Sequence, residues 1–179
     1  MSTVLHTPRL TVPIKEDDHV LGPATAPVTL VEYGDYECPY CGAAHTSVRE
    51  LLATAGDGIR FVFRHFPLGQ IHPHAVPAAL AAEAAGAQGM FWQMHDLLFT
   101  NQQRLDTPDL LAYAEELGLD VERFARDLEQ RTYEPRVRED FMSGIRSGVN
   151  GTPTFFVNGV RHNGGYDLPS LLAAVRAAI

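Results

Sequence analysis

The segment from Val28 to Phe66 constrains this chain most. Val28-Thr29-Leu30-Val31-Glu32-Tyr33 is a short, apolar, β-branched run, and Ile59-Arg60-Phe61-Val62-Phe63-Arg64-His65-Phe66 is another, stopped by Pro67. Between them, Pro39 to about Ala55 carries a helical pattern that Gly56-Asp57-Gly58 closes. Apolar runs this short read as buried strands. Strand, helix and strand within about forty residues make a βαβ unit, whose crossover leaves the two strands parallel.

The end of the chain predicts the opposite pairing. Thr154-Phe155-Phe156-Val157 and Val160-Arg161-His162 flank Asn158-Gly159, and Asn-Gly between apolar runs is a hairpin signal. Asp167 is placed to cap a last helix from Leu168 to Ile179. The intervening region reads as helical. His74 to Phe99 is one helix or two, with Gly86 and Gly89 as a break; Thr107 caps the next, Asp120 another, and Glu134 to about Gly148 is the last. The order is β-α-β, a helical block, then β-β-α. We read one domain over 1–179, with an N-terminal arm over 1–27 and a helical insertion over 68–149. In the arm, Val4, Leu10, Val12 and Ile14 suggest a short strand, interrupted by prolines.

Composition excludes some classes. The formal net charge is −8, which argues against a nucleic-acid binder or an anionic membrane surface. No stretch approaches the ~18 apolar residues of a membrane span. No signal peptide is visible after Met1, so a cytoplasmic protein is the default, with a mature exported form left open.

The chain has 2 cysteines, Cys38 and Cys41, in Glu37-Cys38-Pro39-Tyr40-Cys41-Gly42. A permanent bridge there would be a weak staple, because so short a loop removes little unfolded-state entropy. A metal site is a rival. Cys38, Cys41 and His45 give C-x2-C-x3-H, and His72 and His74 offer further ligands, but the paired motif of structural zinc is missing; no metal ligand is assigned. A redox pair fits best. Residues i and i+3 of a first helical turn lie about 5–6 Å apart on one face, within disulfide range. The helix N-terminus stabilises a thiolate, the reactive species, and Pro39 costs nothing in that turn.

Cys38-Pro39-Tyr40-Cys41 after a strand, with Gly151-Thr152-Pro153-Thr154-Phe155 before a hairpin, resembles the thioredoxin superfamily. The helical block and Phe91-Trp92-Gln93-Met94-His95-Asp96-Leu97-Leu98-Phe99 are similar to its DsbA-like branch. The resemblance implies a thioredoxin-like α/β fold with a helical insertion between the βαβ and ββα halves, and a thiol-disulfide oxidoreductase. Cys38 would be the exposed, lower-pKa nucleophile that carries the mixed disulfide, and Cys41 the buried resolving thiol. Glu32 would be a buried proton acceptor; the alternative is a strand-end carboxylate in solvent. Pro153 would follow a cis peptide bond, and Thr152, Pro153, Pro39 and Tyr40 would meet the substrate. No cofactor is expected beyond the Cys38–Cys41 disulfide. Implied partners are protein or peptide thiols and disulfides and a recycling redox protein.

Neighbouring charges should matter. Glu37, and more weakly Asp35, oppose thiolate formation, so a lowered but not extreme Cys38 pKa is expected. Pro-Tyr between the cysteines is the glutaredoxin pair, which suggests a potential between about −230 and −120 mV. It also keeps a glutathione-dependent reductase as an alternative, beside a zinc-binding CxxC module. His65 either tunes the thiolate or is hydrogen-bonded at a strand end. Phe91, Trp92 and Met94 read as core of the insertion.

Overall fold

The computed structural model describes residues 7–179. β1 (His19–Leu21), β2 (Val28–Gly34), β3 (Ile59–His65), β4 (Thr154–Val157) and β5 (Val160–His162) form one sheet in the order β1-β3-β2-β4-β5. β2 and β3 run parallel, from Val28 opposite Ile59 to Gly34 opposite His65. The helix between them, α1 (Pro39–Ala55), makes the crossover. β4 lies antiparallel to β2, with Glu32 opposite Phe155, and β5 antiparallel to β4. The hairpin turn uses left-handed backbone at Asn158 (φ 46) and Gly159 (φ 78), the conformation for which Asn-Gly is suited.

Five helices separate the halves: α2 (Ala75–Gly86), α3 (Phe91–Thr100), α4 (Thr107–Glu116), α5 (Val121–Glu129) and α6 (Glu134–Arg146). The break after Gly86 divides what the sequence left as one helix or two. Thr107 is not the cap expected of it. Asp106 holds the N-cap position and Thr107 begins α4, with Pro108 in the first turn, where its missing N–H is harmless. Asp120 and Asp167 do cap their helices, accepting from Arg123 N and Ser170 N. The last helix is α7 (Leu168–Ala177).

The strand suggested at Val4 to Ile14 does not form over its described part. Val4 lies outside the described residues; Arg9 makes an isolated bridge to Val160, and the strand proper comes later, at His19–Leu21 against β3. Pro8 and Pro13 interrupt the earlier stretch, whereas 19–21 meets the free edge of β3 without a proline. The buried Arg64 guanidinium ties this arm down, donating to Val12 O, Pro13 O, Tyr33 Oη and the Asp18 carboxylate at 2.8–3.0 Å.

Alternation along the central strands makes two cores. Val28, Leu30, Phe61, Phe63, Phe155 and Val157 pack with helical residues that include Cys41, Val48, Met94, Leu98 and Leu171. Val31, Tyr33, Val62, Phe66 and Phe156 face the other way, against Val149, Phe141 and the arm. Glu32 points with the first set, and that places a carboxyl under the start of α1.

Candidate active site

α1 begins immediately after the turn that follows β2. Cys38 is its N-cap residue and Pro39 lies in its first turn. This is the position where N–H groups lack helical partners and an anion is favoured. Both cysteines are free thiols and both are buried. The expected exposure of Cys38 is corrected here: it is 3% exposed, against 0% for Cys41. Cys38 Sγ lies 3.5 Å from the carbonyl of Thr152, and the loop bearing that carbonyl covers the sulfur. The Thr152–Pro153 peptide bond is cis.

The two thiols differ in acidity. The Cys38 pKa is lowered from an ordinary 9.0 to about 5, chiefly by the hydrogen bond from Cys41, against desolvation, with help from Thr152 and the N–H groups of Cys41 and Tyr40. Burial pushes Cys41 well above the ordinary thiol value, and its hydrogen bond to Cys38 adds to this.

Glu32 is 2% exposed, and its Oε1 has no hydrogen-bond partner among the described residues. Burial raises its pKa from 4.5 to about 8, and the Cys38 charge adds to the rise. The solvent-reaching alternative for this residue is therefore excluded. Tyr40 is 63% exposed, and its ring centroid lies 6.4 Å from that of Tyr166. Pro39 and Tyr40 lie between the cysteines in the chain, and Thr152, which precedes Pro153 across the cis bond, meets Cys38 Sγ through its carbonyl.

The acidic pair before Cys38 behaves differently from the expectation. Asp35 is fully engaged: Oδ1 accepts from Glu37 N, and Oδ2 accepts from Leu68 N and meets His72 Nδ1 at 2.7 Å. Glu37 accepts from His74 N and pairs with His74 Nδ1 at 2.8 Å, while His74 Nε2 meets Asp106 at 2.9 Å. His72 is raised in pKa against an opposing desolvation, mainly by the Asp35 hydrogen bond; His74 is raised by the Glu37 hydrogen bond first. Each acid before Cys38 thus has its own imidazole, supplied by the loop after β3. Sequence reading offered these histidines as metal ligands, because nothing local says that they return to the CxxC turn.

Other contacts were also invisible in the sequence. Gln102 Nε2 donates to Tyr36 O at 2.9 Å and Cys38 O at 2.8 Å, which pins the turn to the insertion. A Cβ on Gly42 would lie 2.2 Å from Gln102 Oε1, so glycine makes room for this bracket. Tyr36 Oη meets His95 Nδ1 at 2.9 Å. His65 belongs to the hydrogen-bonded alternative: fully buried, it meets Glu83 Oε1 at 2.7 Å, which also meets His19 Nε2 at 2.7 Å. Phe91 and Met94 are core and Trp92 packs against it. His45 does not join the cysteines; its grouping is with His95 and Asp96.

A family profile described as Thioredoxin matches residues 15–177. The solved structure of BdbD from Bacillus subtilis, in its oxidised form, is similar over 96% of this chain and 95% of that one, with a TM-score of 0.83 and 23% identity. A thioredoxin-like oxidoreductase from Silicibacter pomeroyi is 33% identical, with a TM-score of 0.78 over 92% of this chain and 93% of that one. In sequence, the chain is 56% identical over 170 residues to a protein of Salinispora arenicola named a Na(+)/H(+) antiporter. That match spans 94% of this chain but 26% of the antiporter. The chain covers about a quarter of the curated relatives that it matches. Among the described residues, no helix is long and apolar enough to cross a membrane.

Proposed function

The chain belongs to the thioredoxin family, in the DsbA-like branch that carries a helical insertion, and on that premise we propose that it exchanges the Cys38–Cys41 disulfide or dithiol with protein substrates through a mixed disulfide on Cys38. The observation that carries this reading is the pairing of unequal thiols one helical turn apart at a helix N-terminus. A thiol of pKa about 5 is a thiolate at neutral pH, ready to attack a disulfide and a good leaving group from one. Cys41, held as a thiol by burial, resolves the mixed disulfide once it loses its proton. Glu32 accepts that proton: its carboxyl is buried on the same side of the sheet, has an unpartnered oxygen and titrates near pH 8.

His72 and His74 complete the electrostatics. As imidazolium ions they offset Asp35 and Glu37, so the acids that precede Cys38 do not cancel the helix N-terminus. Thr152 and Pro153 on one side, and Pro39 and Tyr40 on the other, receive an extended peptide beside the sulfur, with the Thr152 backbone pairing to it as an added strand. The cysteine pair is the redox centre, and no organic cofactor takes part. The antiporter named in the relatives is a property of those longer proteins.

Direction follows from potential and compartment. A reducing compartment makes reduction of substrates the favoured direction; an oxidising one makes disulfide donation favoured. Equilibration against a glutathione series, read by thiol alkylation, gives the potential. We expect a reversible two-electron couple between about −230 and −120 mV. Cys41→Ser is expected to accumulate a mixed disulfide with a disulfide-bonded peptide: the Cys38 thiolate attacks the peptide S–S bond, one peptide thiolate leaves, and no Cys41 remains to resolve the product. Full exchange activity in Cys38→Ser would sink the reading. Faster turnover on a glutathionylated peptide than on a protein disulfide would favour the glutathione-dependent alternative.

A further inference from the structure

Among the described residues, two clusters of metal-ligating side chains lie apart from the cysteines: His19, His65 and Glu83, and His45, His95 and Asp96. They differ in what their atoms already do. In the first, one carboxylate oxygen, Glu83 Oε1, meets both imidazoles at 2.7 Å, so the cluster is closed by its own hydrogen bonds. The second is open.

His45 is 5% exposed, yet its Nε2 is buried with no hydrogen-bond partner among the described residues. Asp96 Oδ1 lies 3.2 Å away, within reach of an ion pair but not aligned as a hydrogen bond. A buried imidazole nitrogen without a partner forfeits its hydration, at a cost of about 1–3 kcal/mol. The neighbouring His95 ring stands at 67° to it, with centroids 5.2 Å apart. Tyr36 Oη meets His95 at Nδ1, so Nε2 is the ring nitrogen that would face a ligand. An outer contact on the second ring nitrogen is the arrangement that orients ligating histidines. One ligand atom from each of the three residues falls within 4.8 Å of the others. Asp96 is about half exposed, its side chain at 48%, so water reaches the cluster to fill a remaining position.

We propose that His45, His95 and Asp96 form a divalent metal site of the zinc class that ties the active-site helix α1 to α3 of the insertion. Two neutral imidazoles and one carboxylate, with a fourth place for water, suit Zn²⁺, which takes N and O ligands at about 2.0–2.2 Å. Small side-chain shifts would draw the three atoms around such an ion. It would satisfy the orphaned His45 nitrogen and cross-link the helix bearing Cys41 to the helix on which Tyr36 leans. The site is distinct from the CxxC and independent of the exchange reaction proposed above.

The test uses the full chain with Cys38 and Cys41 oxidised to their disulfide, so that thiolates cannot bind the probe. Co²⁺ is titrated by visible absorption and Zn²⁺ by calorimetry and by thermal shift. The expected result is one equivalent bound with tetrahedral Co²⁺ bands and a raised melting temperature. His45→Gln and Asp96→Asn should each weaken binding at least about tenfold, and Tyr36→Phe about 10–100-fold. His19→Gln, in the closed cluster, should leave binding unchanged. No binding by the oxidised protein up to about 100 μM metal, a free energy of roughly −5 kcal/mol, would overturn the proposal. So would binding that survives in Asp96→Asn, since this half-exposed change leaves the core intact even where His45→Gln does not fold.

Discussion

The acidity of Cys38 should be readable as protein stability. Its folded pKa is about 5 against an ordinary 9.0, so the folded state prefers the thiolate while the unfolded chain holds the thiol between those values. A group with a lowered folded pKa contributes stability that is complete above its unfolded value and lost as pH falls through its folded one. The window is therefore pH 9 to 5. Within it the slope is about 1.4 kcal/mol per pH unit. At pH 7, midway, the thiolate is worth about 3 kcal/mol to the reduced protein. Cys38→Ser has no thiolate. The reduced wild type minus Cys38→Ser, measured by urea unfolding at pH 5, 6, 7 and 8, should rise with pH by about 3–4 kcal/mol in all. Cys41 stays a thiol throughout in both proteins because burial holds its pKa high. Glu32 titrates in both, since burial is the main cause of its raised value. Iodoacetamide alkylation of Cys38 should show the same midpoint, near 5. A stability difference that is flat from pH 5 to 8, with alkylation rising only near pH 9, would refute the assignment of the helix-terminal thiolate.

Other outcomes follow from named contacts. Glu32→Gln should slow release of the mixed disulfide by about 100-fold and abolish its pH dependence near 8, as stopped-flow kinetics would record. His72→Asn should raise the alkylation midpoint of Cys38 by about one unit, an effect that fades at high pH, where the wild-type imidazole is neutral too. Gln102→Ala should cost about 1–2 kcal/mol by removing the donor to Tyr36 O and Cys38 O. Gly42→Ala should cost a similar amount by displacing that amide, so the double variant should fall short of the sum in a denaturation cycle. Arg64→Ala should cost about 3–5 kcal/mol, because it strands the buried Asp18 carboxylate and two arm carbonyls.

The scaffold was legible in the sequence where local pattern and long-range pairing agree. The Val28 and Ile59 runs flank a crossover helix, and Asn158-Gly159 can do little but turn a hairpin. The cysteine pair was readable from its i, i+3 spacing at a helix start, whereas Glu32 and Thr152-Pro153 were marked only by the resemblance to the thioredoxin superfamily; the burial of Glu32 and the cis bond before Pro153 are seen in the structure. What stayed hidden is what the insertion brings back. His72, His74, Gln102 and Asp106 lie 31 or more residues beyond Cys41, and no periodicity says which of them meet the turn before α1. Asp35 and Glu37 therefore read as opponents of the thiolate until their imidazole partners are seen. The exposure assigned to Cys38 failed for the same reason: its cover comes from a loop more than a hundred residues away in the chain. His45 read as a companion of the cysteines because it is near them in sequence, while the direction of its side chain is set by packing against α3.

The sheet ends on both sides in strands of 3 residues, β1 and β5. Edge strands are templates for further pairing, and short ones offer little to pair with. Under the function proposed above, the substrate would be a chain with exposed, strand-forming segments. Three-residue margins let such a chain approach the Cys38 end of the molecule while denying it a long seam along the flanks. The arm residue Arg9, bridged to Val160, shortens the β5 margin further. Under that reading, the architecture would separate transient capture at the Cys38 end from adhesion along the sides.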